Sequence, residues 1–321
     1  MPARIAAPSN IGRYRVLSSE GHDENPYLHR MIRQSLIIML LFAHSAFGQS
    51  ALRDSLERIA KDARGSVGIS LFYTADGKQL SFHGKDHFPM QSVFKFPLAL
   101  KILHDVDEGS FGLDQLVHID EQDWVKGTWS PLRDSCKGKT VNIPLREIIR
   151  YTVSASDNNG CDILFRLAGG PVSVDQFIHE KGVRDIAVVA TEAEMARSWG
   201  VQYKNWCTPE AMTALLRLFM EGKMISRAST QLLMQFLAET TTGPRRIKGL
   251  LPASMTVAHK TGTSGTNEEG LTAATNDVGI ITLADGSHLI ISVFVKDAHA
   301  NEATREAVIA RIAATATRPR I

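Results

Sequence analysis

Cysteine is scarce in this chain: three residues in 321 exclude a framework in which every cysteine is bridged. Neither sign of charge is in excess, with 36 Lys and Arg against 34 Asp and Glu and a formal net charge of +2. That balance leaves no basic stripe for nucleic acid and no acidic tail. The eleven histidines contain no His-Glu-x-x-His or His-x-His spacing, and His83 and His87 only straddle a Gly-Lys-Asp turn. No metal and no other cofactor is implied. Internal repeats and low-complexity tracts are missing, and beyond residue 49 no apolar run is long enough to cross a bilayer. What remains is ordinary globular composition, 44% hydrophobic and 22% charged, enough for one large domain or two modest ones.

The start of the chain has a different texture. Residues 1–30 are polar and without periodicity; Met31-Ile32-Arg33-Gln34-Ser35 then leads into the apolar run Leu36 to Ala43, and Ala46-Phe47-Gly48 supplies small residues. This order reads as a secretory signal peptide, with Met31 the true start, residues 1–30 an upstream extension and cleavage before Gln49. The mature chain is then expected in the periplasm, with no membrane anchor and no cysteine placed for lipid attachment. Cys161 falls at helical spacing among apolar neighbours and reads as a buried thiol. Cys136 and Cys207 sit in loop-like contexts, where a bridge between them stays open.

Periodicity along the mature chain changes twice. Residues 51–64 place Leu52, Leu56, Ile59 and Ala63 on one helical face, and two strands follow, 66–73 and 79–83, joined by an Asp76-Gly77 turn. From Ser92 to about Phe236 the pattern is mainly helical. It returns to period two in 256–262, 276–284 and 288–295, before a closing amphipathic helix over 303–315. The order predicts an α/β fold of the α+β sandwich kind. Its five-stranded antiparallel sheet is flanked by the terminal helices, and an all-helical domain is inserted. The expected division is 49–87 with 237–321 for the sheet domain and 88–236 for the helical one, with a site at their junction.

Four stretches carry candidate chemistry. Ser92 sits where a loop turns into an apolar helix, and Lys95, three residues on, shares its face. A partly buried lysine can take the proton that makes serine a nucleophile. Alone this is weak, since about one Ser-x-x-Lys arises by chance in a chain of this length. In Ser154 to Gly160, Ser156 offers a hydroxyl for proton relay and Asn158 an amide for substrate; the same stretch also reads as a helix N-cap. In His259 to Gly265, Lys260 and Thr261 suit a carboxylate, and Gly262 clears space for a ligand along the backbone. The N–H groups of Thr263 and Ser92 could form an oxyanion hole, worth about 3–4 kcal/mol per donor. Between these lies Thr191 to Ala196, where Glu192 is a candidate general base.

Ser-x-x-Lys, Ser-Asp-Asn and Lys-Thr-Gly, in this order, resemble the signature of class A β-lactamases and penicillin-binding proteins. Glu192, 36 residues after Ser156 and 68 before Lys260, resembles the Ω-loop glutamate of the β-lactamases. The likeness covers nearly all of the mature chain. It points to the extended-spectrum PER-like branch through Pro89 to Ser92, Val201 to Trp206, Thr240 to Pro244 and Ala273 to Asp277. The resemblance implies a monomeric enzyme whose partner is a small-molecule β-lactam. Ser92 would be the nucleophile, and Lys95 and Glu192 would share the general-base work. Ser156 would relay the proton, Arg246 would be a second carboxylate partner and Trp129 an aromatic wall. The alternatives are a D-alanyl-D-alanine carboxypeptidase or transpeptidase, against which Glu192 argues, and a non-catalytic penicillin sensor, which usually sits behind a membrane anchor that is not visible here.

The chain departs from that pattern at several points. Ala196 stands where most class A enzymes have a water-holding asparagine, and Ala190 and Asn205 replace the ion pair across the Ω-loop neck. Gln91 precedes the nucleophile, so the disulfide of some class A carbapenemases cannot form there. The connection from Gly262 to Asn276 is longer than usual. Slack in that connection and at the neck predicts a wide cleft.

Overall fold

The protein's structure, a computed structural model, describes residues 50–318. The expected extension, signal peptide and cleavage point lie outside the described residues. A helix over 50–60 (α1) precedes strands β1 (Ser66–Tyr73) and β2 (Gln79–Phe82). There follow β3 (Phe88–Pro89), α2 (Lys95–Asp107), β4 (Leu116–Ile119), α3 (Pro131–Ser135), β5 (Val141–Pro144), α4 (Leu145–Ser154), α5 (Asn158–Ala168) and α6 (Pro171–Glu180). The chain continues through β6 (Ile186–Ala187), α7 (Glu192–Met195), β7 (Trp206–Cys207), α8 (Pro209–Met220) and α9 (Arg227–Ala238). It closes with β8 (Val257–Thr263), β9 (Thr272–Thr282), β10 (His288–Ala298) and α10 (Glu302–Ala316).

The five-stranded antiparallel sheet expected from the periodicity is present, in the order β2-β1-β10-β9-β8. Both of its faces are covered. In β10, Leu289, Ile291, Val293 and Val295 join Leu56, Ile309 and Ile312 under the terminal helices, while Ile290 and Phe294 join the helical core around α2. Side chains alternate across a strand, so a doubly covered strand reads as a nearly unbroken apolar run. The helix α2 is buried nearly all round, from Lys95 to Leu103, which makes it the axis of the helical part.

Several boundaries differ from expectation. The strand expected from Asn276 begins at Thr272, so the long connection after Gly262 is partly strand. The rest is a built turn, not slack: Thr266 bridges Thr272, and Asn267 Oδ1 accepts from Leu271 N at 2.8 Å. Two small sheets, β3-β7-β6 and β4-β5, had no periodic signal because their strands are two to four residues long. All three cysteines are free, which closes the question of a Cys136–Cys207 bridge. Cys207 belongs to β7 and is fully buried, and burial pushes its thiol up.

Candidate active site

The Ser92 turn is fixed by its neighbours on both sides. Residues 91–94 form a 3-10 turn leading into α2. Gln91 takes a left-handed backbone, φ 49°, which glycine adopts more easily than any other residue. Its side chain donates to Gln202 Oε1 at 2.7 Å. Met90 N donates to Asn205 O at 2.8 Å, and Asn276 Nδ2 donates to Pro89 O and Met90 O at 2.8 and 3.1 Å. The edge strand β8 lies directly against this turn. A Cβ at Gly262 would come 2.3 Å from Met90 O. The glycine therefore makes room for the protein's own nucleophile turn, a different reason from the ligand clearance read in the sequence.

Lys95 is completely buried, and its Nζ meets four acceptors: Ser92 Oγ at 3.0 Å, Ser156 O at 2.8 Å, Asn158 Oδ1 at 2.6 Å and Glu192 Oε1 at 2.8 Å. An ammonium has three N–H bonds, so these four contacts compete for its protons. Ser92 Oγ also lies 3.3 Å from Glu192 Oε1. The Ser92 hydroxyl thus has both the Lys95 nitrogen and the Glu192 carboxylate within reach.

The Ser156-Asp157-Asn158 stretch divides its labour. Asp157 is the N-cap of α5, accepting from Gly160 N at 2.7 Å, and also from Leu132 N and Ser130 Oγ. Burial raises its carboxyl above the usual range, against the pull of those donors. Ser156 (φ 57°), just before the cap, meets Lys260, whose Nζ donates to its Oγ at 2.8 Å. Asn158 Nδ2 donates to Thr128 Oγ1 at 2.6 Å. Burial first, then the Lys95 charge, depress the Lys260 amine well below its ordinary value.

Glu192 opens α7 behind the Thr191 N-cap. Asp162 on α5 accepts from Glu192 N at 2.8 Å and from Ala193 N at 2.9 Å, and burial pushes its carboxyl up to about 6. Sequence reasoning passed over Asp162, although it lies one helical turn beyond Asn158. At the neck, Asn205 Oδ1 accepts from Val189 N and Ala190 N at 2.8 and 2.9 Å, and its Nδ2 donates to Ala190 O at 2.7 Å. The missing ion pair is replaced by three side-chain-to-backbone hydrogen bonds.

Other expected residues fall into two groups. Thr263 lines the cleft, a cavity of about 330 Å³ that it shares with Gln91, Asn158, Glu192 and Gln202. Thr261 is buried, and its hydroxyl lies 2.6 Å from Thr242 Oγ1. Arg246 is also buried, donating to Glu306 Oε1, Gly262 O, Asn276 O and Thr263 Oγ1. Those contacts leave one of its five N–H groups. Trp129 stands at the rim, 61% exposed, its Nε1 donating to Ala155 O at 2.8 Å. Behind β8, His259 Nδ1 pairs with Asp277 at 2.8 Å in a buried contact that no periodic pattern signalled.

A serine in the turn that opens α2, a buried lysine and a carboxylate converge beside a sheet edge, an arrangement that can carry out serine acyl transfer. Residues 51–318 match the profile of the β-lactamase enzyme family. The chain is 41% identical over 296 residues to the extended-spectrum β-lactamase PER-1 of Pseudomonas aeruginosa, covering 91% of this chain and 95% of that one. It is 39% identical to β-lactamase VEB-1 of the same organism, over 88% and 96%. Among solved structures, a β-lactamase from Chitinophaga pinensis matches with 51% identity and a TM-score of 0.81, over 83% of this chain and 97% of that one. The TLA-1 extended-spectrum β-lactamase matches with 44% identity and a TM-score of 0.82, over 84% and 98%. The chain belongs to the β-lactamase enzyme family, within class A.

Proposed function

We propose that this enzyme hydrolyses the β-lactam amide of penicillins and cephalosporins, oxyimino-cephalosporins included, and so gives antibiotic resistance. Ser92 Oγ attacks the lactam carbonyl while its proton passes to the Lys95–Glu192 pair. The N–H groups of Ser92 and Thr263 receive the oxyanion, and Ser156 relays the proton taken from Ser92 to the leaving nitrogen as the C–N bond breaks, which frees Glu192 as a carboxylate again. Water, giving its proton to Glu192, then attacks the ester and restores Ser92. Lys260 and the Thr263 hydroxyl hold the substrate carboxylate, with Thr261 and Arg246 supporting them from behind. A bound carboxylate would offset part of the burial that depresses Lys260. Trp129 closes the rim.

The observation that carries this reading is Glu192 Oε1 standing 3.3 Å from Ser92 Oγ, where a carboxylate can also activate water. A penicillin-binding protein, acylated without such a group, stalls. Export to the periplasm and a monomeric state belong to the same proposal, as does the division into a sheet domain and an inserted helical domain. Separate hydrophobic cores on the two faces of the sheet support that division. Among the described residues no helix is long and apolar enough to cross a membrane.

The test is turnover of a chromogenic cephalosporin with intact-mass spectrometry, beside Ser92→Ala. The expected result is multiple turnover and an adduct that Ser92→Ala abolishes. A permanent adduct without turnover would return the penicillin-binding reading. For substrate range, kcat/KM is compared between an oxyimino-cephalosporin and a simple penicillin. A deficit beyond about 10³-fold, near 4 kcal/mol, rules out the extended-spectrum reading.

A further inference from the structure

Trp199 is an aromatic side chain that the reaction just described does not use. It opens the 3-10 turn Trp199–Tyr203, in the loop that carries Glu192, and remains 38% exposed. It lines the same cavity as Asn158, Glu192 and Thr263, the groups around the scissile bond. The reaction centre needs no indole there, and the packing of the loop does not bury it.

The turn that carries the ring is held in place. Tyr203, at the end of that turn, donates from its Oη to Asp297 Oδ1 at 2.5 Å, which ties the turn to β10. Gln202, in the same turn, is fixed by Gln91. Most of the cavity wall is polar or small, with Thr128, Ala196, Ser198 and Ser264 among its residues, and Met195 is the other large apolar side chain that lines it. A part-exposed aromatic plane in a mostly polar cavity is suited to a flat apolar group and offers little to a short aliphatic one.

We propose that Trp199 is a specificity-determining residue, stacking on planar aromatic or heteroaromatic rings in the acyl side chain of the β-lactam. The proposal rests on reading this cleft as a β-lactamase site. The preference acts on the side chain alone, so it follows from contacts remote from the lactam ring.

The test uses two substrates with one nucleus: benzylpenicillin, whose acyl side chain ends in a phenyl ring, and 6-aminopenicillanic acid, which has no acyl side chain. The readout is the ratio of their kcat/KM values. Trp199→Ala and Trp199→Leu should each lower that ratio at least tenfold, mainly through KM for benzylpenicillin, and Trp199→Phe should keep it within about threefold of wild type. Tyr203→Phe, which removes the bond from this turn to Asp297, should lower it by a smaller factor. Thermal melts confirm folding, and the leucine variant stands in if alanine disturbs the loop. A ratio unchanged in both Trp199→Ala and Trp199→Leu overturns the proposal, including the case where both substrates slow equally because the residue is merely structural. Wild-type protein that turns over neither substrate would overturn the β-lactamase reading itself, an outcome distinct from loss of the Trp199 effect.

Discussion

Lys95 Nζ and Glu192 Oε1 stand 2.8 Å apart, and Ser92 Oγ lies 3.0 Å from the amine and 3.3 Å from that same oxygen. The three atoms form one triangle in which a proton leaving Ser92 has two destinations already in contact with each other. Lys95 is held by Ser156 O and Asn158 Oδ1, and Glu192 by Asp162 through the backbone. Neither base can move without disturbing the stretch that holds it.

The deacylation role of Glu192 is the first thing to test. Glu192→Gln keeps the size of the side chain but cannot accept the proton of water. The acyl-enzyme should accumulate in intact mass, and turnover should fall by about 10²–10⁴-fold. Unchanged steady-state rates with no lasting adduct would remove Glu192 from the mechanism.

Asp162 should make stability depend on pH. Its folded carboxyl holds a proton up to about pH 6, whereas an unfolded aspartate releases it near 4. The folded state therefore binds more protons between those values, and unfolding free energy falls as pH rises through that window. The contribution is of order 3 kcal/mol. Asp162→Asn does not titrate there, so the wild-type advantage over the variant should shrink from pH 4 to pH 6.5 in urea titrations. A constant difference would mean the carboxyl is not shifted.

Asn205→Ala removes three hydrogen bonds to the loop backbone. A loss of about 2–3 kcal/mol is expected, at about 1 kcal/mol each. Amides of residues 190–204 should also exchange faster with deuterium. If stability and exchange both match wild type, the neck is held by something else.

Gly262→Ala should damage acylation more than folding. The added Cβ would sit 2.3 Å from Met90 O, which Asn276 holds at 3.1 Å. Relief requires the Ser92 turn to shift, and misplacement of about 1 Å costs about 10²-fold in rate. Rapid-quench mass spectrometry would measure it; a wild-type acylation rate would show that β8 gives way instead.

Much of the fold was legible because its signals are local. Periodicity in residues 66–73 and 288–295 marked strands, and α2 announced itself as an unbroken apolar helix. The small sheets and the start of β9 were not legible, since a two-residue strand has no period and a loop that doubles back on itself carries no repeating pattern. The site divided in the same way. Ser92, Lys95, Ser156, Glu192 and Lys260 stood out as motif residues, but the reason for Gly262 and the burial of Arg246 did not.

By itself the sequence determined the reactive groups and their order, because nucleophile, amine and carboxylate are fixed by residue type and short spacings by helical geometry. Only the tertiary structure decided which of them meet. Glu192 reaches Ser92 across 100 residues. Tyr203 finds Asp297 across 94. Asn205 replaces an ion pair with backbone hydrogen bonds, and Met90 O occupies the space that Gly262 leaves. Each of these depends on which chain segments pack side by side, and burial there rewards any partner that satisfies a polar group, whatever its distance along the chain.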